Sequence, residues 1–238
     1  MGYKIQKIYV GTHLVWPSSP TPPTPYTPTS DTIAYFPLNS THTYTDQSWN
    51  NLQATNYNVT FWTNYWVDCG KFDGTARIII NSSLTVPTSA TFLCWCYLQW
   101  NKSNYDQKIF DVRSGSNYFI PYYYCGWFGG GDYNGYWIFT QADHYIFNNM
   151  GQKWVLLYVV RDGTSVDYGY MWTTPASATC SMVSSAITDT AATIWNEHNS
   201  TTDRYFFGWL SELILESRQW TLQEIETYYN NTKSTYGL

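Results

Sequence analysis

The chain has 238 residues and a net charge of -5; it is 20% aromatic but only 12% charged. That length holds one large β domain or two small ones, and the acidic balance, with no Lys/Arg cluster to neutralise phosphates, excludes a nucleic-acid partner. No apolar run is long enough to span a bilayer, so no membrane insertion is expected. The first residues, Met1-Gly2-Tyr3-Lys4-Ile5-Gln6-Lys7, lack the apolar core and small-residue cleavage site of a secretion signal. The five cysteines are Cys69, Cys94, Cys96, Cys125 and Cys180, an odd number that leaves at least one thiol unpaired. Cys94 and Cys96 share one face of a strand-like run, where a bridge between them would be strained. They read as small buried apolar residues, and folding in a reducing cytoplasm is expected.

Residues 1–17 form a first unit. Ile8, Tyr9 and Val10 precede the turn signal Gly11-Thr12, and Leu14, Val15 and Trp16 follow it, which predicts a small hairpin. A lone hairpin is marginal in water, so it should dock elsewhere. The stretch Lys7 to Pro17 resembles a short leader of tailed-bacteriophage virion proteins, in which such a segment precedes a linker and a variable β domain. The resemblance implies that Ile8, Tyr9, Val10, Leu14, Val15 and Trp16 anchor the chain to other virion proteins. The competing reading is an N-terminal strand of the main domain. Residues 18–30 are rich in Pro and Thr and can join neither sheet nor helix interior. They predict an extended spacer of about 3.1 Å per residue, on the order of 40 Å.

The main domain spans 31–238. Thr32 to Leu38 predicts a strand, and Asp46-Gln47-Ser48 a polar turn. Asp73-Gly74 reads as a hairpin turn between two β runs. Ala90 to Trp100 and Lys153 to Arg161 alternate at period two, the latter ending in the turn pair Asp162-Gly163. Phe206 to Glu216 predicts a strand with Trp209, Ser211, Leu213 and Leu215 on one face and Leu210, Glu212, Ile214 and Glu216 on the other. Thr221, three residues before Glu224, predicts a capping box and a short helix, with Leu222, Ile225 and Tyr228 or Tyr229 against the sheet. Many short strands with one helix predict an all-β, two-sheet jelly-roll sandwich with a short C-terminal helix. The order of these pieces resembles the laminin-G-like, concanavalin A-like jelly roll, over about residues 31–238. The closing segment from Gly208 to Ile225 is the most specific part of the match. Trp49 departs from it, since the family usually has glycine after the Asp-x-Ser turn.

Tyr118 to Trp137 is unusually aromatic and interleaved with glycine. One reading is two sandwich strands around a Gly-rich loop, and another is a subunit interface in a homo-oligomer. The functional reading is a glycan platform. Tyr122, Tyr124, Trp127, Tyr133 and Trp137 would stack on sugar faces, and Asp132 would accept hydroxyl hydrogen bonds.

Catalysis is not expected. Glycoside hydrolysis needs two close carboxylates, and Glu212 and Glu216 stand about 13 Å apart along a strand. The histidines are scattered, and no nucleophile elbow or phosphate loop is present. No cofactor is required. For calcium, which relatives of the resembled fold bind at a sandwich edge, Asp46 and Asp73 are the leading candidate ligands, with Asp68 and Asp132 beside them; loop aspartates also serve as plain turn formers. These readings lead to a non-enzymatic virion component, assembled in the host cytoplasm, whose jelly roll binds a cell-surface glycan or a sister subunit. The alternatives are a secreted bacterial carbohydrate-binding module and, less favoured, a glycan hydrolase.

Overall fold

The computed structural model describes residues 9–10, 13–14, 26–64, 66–98, 106–115, 117–124, 127–131, 153–171, 176–181, 184–194 and 207–238. At the N-terminus, β1 (Tyr9–Val10) pairs antiparallel with β2 (His13–Leu14), Tyr9 opposite Leu14 and Val10 opposite His13, in a two-stranded sheet of their own. This is the predicted hairpin. Ile8, Val15 and Trp16 lie outside the described residues.

Two antiparallel sheets form the sandwich. The larger runs β16 (Ala176–Ser181), β15 (Ser165–Met171), β14 (Trp154–Asp162), β9 (Ser89–Leu98), β19 (Phe207–Glu216), β6 (Val67–Asp73), β5 (Thr60–Asn64), with β3 (Thr32–Phe36) also paired to β19. The other runs β10 (Asp106–Lys108), β12 (Asn117–Tyr124), β11 (Phe110–Ser114), β18 (Thr193–Ile194), β7 (Arg77–Ile80), β4 (Ala54–Tyr57), with β13 (Trp127–Gly131) on β12. A small pair, β8 (Leu84–Val86) and β17 (Ile187–Asp189), stands apart from both sheets.

Period-two alternation sorts side chains between two apolar layers. On β9, Phe92, Cys94 and Cys96 enter the core between the sheets, beside Phe36, Phe72, Phe110 and Leu157. Leu93, Trp95 and Tyr97 enter a second layer on the outer face of the larger sheet. Helix α1 (Leu222–Thr232) and the 3-10 turn Lys233–Tyr236 cover that layer, and Tyr236 stacks on Trp95 at 3.9 Å between centroids. Burying a large apolar side chain in either layer contributes about 1.5–3 kcal/mol. Cys69, Cys94 and Cys96 are buried free thiols, which fits their reading as small apolar residues.

The capping box is present: Glu224 N–H donates to Thr221 Oγ1 at 3.2 Å, and Thr221 N–H to Glu224 Oε2 at 2.7 Å. Ile225, Tyr228 and Tyr229 are buried against the sheet as predicted, but Leu222, the first helical residue, is half exposed and lies outside the apolar layer they join. Asp162 pairs with Ser165 in a tight hairpin, with Gly163 at φ 59°.

Three expectations are corrected. First, Asp73-Gly74 is not a hairpin turn. β6 belongs to the larger sheet and β7 to the other, so this turn carries the chain between sheets. Gly74 has φ 91°, and a Cβ there would meet the Phe207 ring at 2.4 Å. Second, β19 does not alternate uniformly. Its register on β9 shifts between Ser211 and Ile214, and Glu212 has φ 52°. The bulge reverses the phase, so Leu210 joins Leu213 and Leu215 in the inter-sheet core, while Trp209 and Ile214 share the outer layer. Third, Gly129, Gly130 and Gly131 are not a loop. They form the end of β13, opposite Tyr122, Pro121 and Ile120.

Candidate functional site

The β19 bulge places a cleft. Along one edge, β19 pairs with β6 over residues 207–210 and with β3 over residues 213–216. The two neighbours part at Ser211-Glu212, where Glu212 N–H donates to Pro37 O at 3.1 Å. The sheet therefore forks. The loop leaving β3 and the tip of the β5–β6 hairpin stand on either side of the opening.

Left-handed backbone is uncommon for glutamate, and here it accompanies the bulge that directs the carboxyl into the aromatic outer layer. Glu212 Oε2 accepts from Tyr228 OH at 2.8 Å, and Tyr236 OH lies 3.2 Å from both that oxygen and Ser211 Oγ. Tyr35 OH donates to Oε1 at 3.4 Å. Burial raises the Glu212 carboxyl above its usual range, although these phenols act in the opposite sense by stabilising the ionised form. The same burial, reinforced by the Glu212 charge, pushes the Tyr228 and Tyr236 hydroxyls well up, so they remain donors.

The cleft has a volume of about 550 Å³, within the usual range for small-molecule sites. Tyr35, Ser211, Glu212 and Tyr236 line it from the fork, joined by Thr232 and Thr235 from the helical end. Tyr26 and Pro28 line it from the segment before β3, and Pro37, Asn39, His42 and Gln47 from the loop after β3. Trp66, Val67 and Asp68 complete it from the hairpin. The spacer expected over residues 18–30 is corrected at its end: Tyr26 is docked on the sandwich, its ring 5.0 Å from Tyr35 and its hydroxyl on Glu216, because its ring gains burial against the outer aromatic layer.

Trp66 is the most telling member. Asn64 pairs with Val67, which puts Trp66 in the turn of the hairpin at φ 78°. A bulky residue in that conformation costs roughly 1–3 kcal/mol. Its side chain is nonetheless 65% exposed, so burial does not offset that cost. Strain also occurs across the opening, at Leu38 (φ 52°) and Thr43 (φ 49°). The loop between them is held by Asn39 Oδ1, which accepts from Thr41 N–H at 3.1 Å and His42 N–H at 2.8 Å. Asp68 ties this loop to the hairpin by accepting from Ser40 N–H at 2.8 Å and Ser40 Oγ–H at 2.5 Å.

Of the predicted calcium candidates, Asp68 lines the cleft, and Asp46 and Asp73 do not. Asp46 is buried, and its carboxylate accepts from Tyr35 N–H, Ser48 N–H, Ser48 Oγ–H and Leu52 N–H at 2.6–3.0 Å. Asp73 Oδ1 accepts from Thr75 and Ala76 N–H and lies below its usual pKa for that reason. Both therefore serve their own turns, and among the described residues no three metal-ligating side chains converge. The backbone brings Tyr124 opposite Trp127 and Tyr122 opposite Gly129. Their side chains, and Asp132, Tyr133 and Trp137 altogether, lie outside the described residues. Glu216 does not join Glu212 as a pair. It is buried and held by Tyr26 OH, Trp220 Nε1 and, at 3.1 Å, Arg218 Nε.

Sequence reasoning missed Trp66, Tyr35 and Tyr236, and it weighed Glu212 only as half of a catalytic pair and Asp68 only as a calcium candidate. The signal for Trp66 was a tryptophan in the short polar break before Val67-Asp68-Cys69, a turn position where a bulky aromatic side chain gains little from the strand.

No family model and no curated protein sequence matches the chain. Solved structures do. The binding domain of botulinum neurotoxin serotype D superposes with a TM-score of 0.63 at 10% identity, covering 84% of this chain and 51% of that one. The serotype G binding domain gives 0.61 at 10% identity, with 85% and 51% covered. The serotype D ligand binding domain in complex with N-acetylneuraminic acid gives 0.63 at 12% identity, with 84% and 50% covered. At this identity the likeness is one of fold, a β-sandwich of the kind found in these binding domains. The chain spans about half the length of the structures it matches.

Proposed function

We propose that this chain is a non-enzymatic carbohydrate-binding domain and that the forked-sheet cleft is its sugar site. The observation that carries this reading is Trp66, exposed and strained on the rim of a cleft whose lining includes phenols, amides and carboxylates. An indole face suits the apolar face of a sugar ring, and Glu212, Asp68, Asn39 and Gln47 suit its hydroxyls. The fold neighbours support it: one is a serotype D domain in complex with N-acetylneuraminic acid and another a domain in complex with SialylT.

The setting we propose is the surface of a tailed-phage virion. The β1–β2 hairpin would attach the chain to other virion proteins, the Pro/Thr-rich residues ahead of Tyr26 would hold the sandwich away from the particle, and the cleft would meet a host glycan. The resemblance of residues 7–17 to phage leaders supports this setting. Oligosaccharide-array binding by the whole chain and by Trp66→Ala tests the sugar site, and equal binding by the two would remove it. Deleting residues 1–17 tests the display role, which is lost if the truncated chain still enters particles.

A further inference from the structure

The cleft's ligand class can be narrowed further, on the premise that it is a sugar site. The described residues lining it include two carboxylates, Glu212 and Asp68, and no Lys or Arg. His42 is the one described lining side chain able to carry positive charge. The basic side chains nearby are turned to other partners. Arg218 bonds Glu216 and Glu224 at 3.1 and 2.7 Å. Lys233 Nζ bonds Asn230 Oδ1 at 2.8 Å and sits over the Tyr229 ring, and Lys71 Nζ sits over Trp62.

From this we infer that the cleft takes uncharged sugars and rejects sialylated, sulfated or uronate-bearing ones. An anionic group entering it would lose water with no Lys or Arg among the described lining residues to meet it, and would face two carboxylates. A neutral ring meets the opposite conditions. Its hydroxyls donate to Asp68 and Glu212, whose oxygens keep lone pairs beyond those used by Ser40 and the phenols. Asn39, whose Oδ1 is taken by Thr41 and His42 N–H, can donate through Nδ2, and Gln47, whose Nε2 bonds Thr45 and Asp46 carbonyls, can accept through Oε1, while the ring's apolar face lies on aromatic surface. The neighbours that carry N-acetylneuraminic acid and SialylT share the sandwich, but the sign of the charge lining this cleft sets a different preference.

The test pairs neutral oligosaccharides ending in galactose, glucose, mannose or N-acetylglucosamine with their sialylated, sulfated and uronate-bearing counterparts. Binding is measured for the full chain, Trp66→Ala and Asp68→Asn. The expected result is binding of a neutral member, its anionic counterpart weaker by at least about tenfold, loss in Trp66→Ala, and a narrower gap in Asp68→Asn. Glu212→Gln provides a second neutralisation with the same expected direction. Anionic sugars bound as tightly as neutral ones, through Trp66, would overturn the charge preference and leave the sugar site standing. If no glycan of either kind binds, the sugar site and the preference fall together.

Discussion

The backbone N–H of Glu212 reaches the carbonyl of Pro37 at 3.1 Å, at the point where β3 and β6 part along the edge of β19. That bond joins the bulge to the loop across it. The same distorted residue turns its carboxyl toward Tyr35, Tyr228 and Tyr236. One backbone irregularity thus shapes the fork, supplies a carboxyl to the cleft and links strand to helix.

Glu212 should make stability depend on pH with a definite sign. Its carboxyl is raised in the folded chain, so the folded state holds its proton over a window where the unfolded state has released it. Stability from this group therefore falls as pH rises from about 4, the ordinary glutamate value, through the raised folded value. Glu212→Gln should flatten that decline, as read from urea midpoints across the window. The acid side should persist in the variant, because Asp73 and Glu224 are lowered and lose their contribution as pH falls. An unchanged decline in Glu212→Gln would mean that another group causes it.

Replacing Trp66 by glycine separates strain from function. Glycine adopts positive φ freely, so Trp66→Gly should match or exceed the wild-type midpoint, by up to about 1 kcal/mol. The same variant should lose glycan binding. A marked loss of stability would show that the indole holds the hairpin and is not presented for a ligand.

Gly74→Ala should destabilise the domain by roughly 1–3 kcal/mol. The new methyl group meets the Phe207 ring at 2.4 Å, and the backbone there sits at φ 91°. Gly163→Ala is the informative comparison. Its backbone is also left-handed, at φ 59°, but nothing lies within 4 Å of the added carbon. Thermal melts should show the larger loss at Gly74.

Thr221→Ala removes one half of the capping box and should cost about 1 kcal/mol. The helix carries Tyr228 and holds Thr232 at the cleft, yet Thr221 itself lies outside the lining. Chemical denaturation should therefore register the change while sugar affinity at low temperature stays near wild type. A parallel fall in affinity would mean that the helix start positions the cleft more tightly than its contacts imply.

Local patterns carried much of the fold. The alternation in β9 and β14, the Asp162-Gly163 turn and the Thr221–Glu224 box are each specified within a few residues, and each is present. The misreadings share a different cause. Asp73-Gly74 has the composition of a hairpin turn, but whether β6 pairs with β7 depends on which remote strands compete for their edges. The glycine run from Gly129 to Gly131 has the composition of a loop, yet β12 supplies a partner for it. The phase reversal in β19 has no signature in its own residues, because it arises where two neighbouring strands meet.

The sequence by itself determined an all-β sandwich with one capped helix, since period-two runs and a helix cap are written in adjacent side chains. Only the tertiary structure decided where a ligand could sit. Tyr35, Trp66, Glu212 and Tyr236 are far apart in the chain, and they converge because β19 pairs with β3 and β6 in succession while the C-terminal turn folds over its outer face. Such non-local pairing follows from competition among strand edges and from burial of the outer aromatic layer, and no single stretch of residues encodes it.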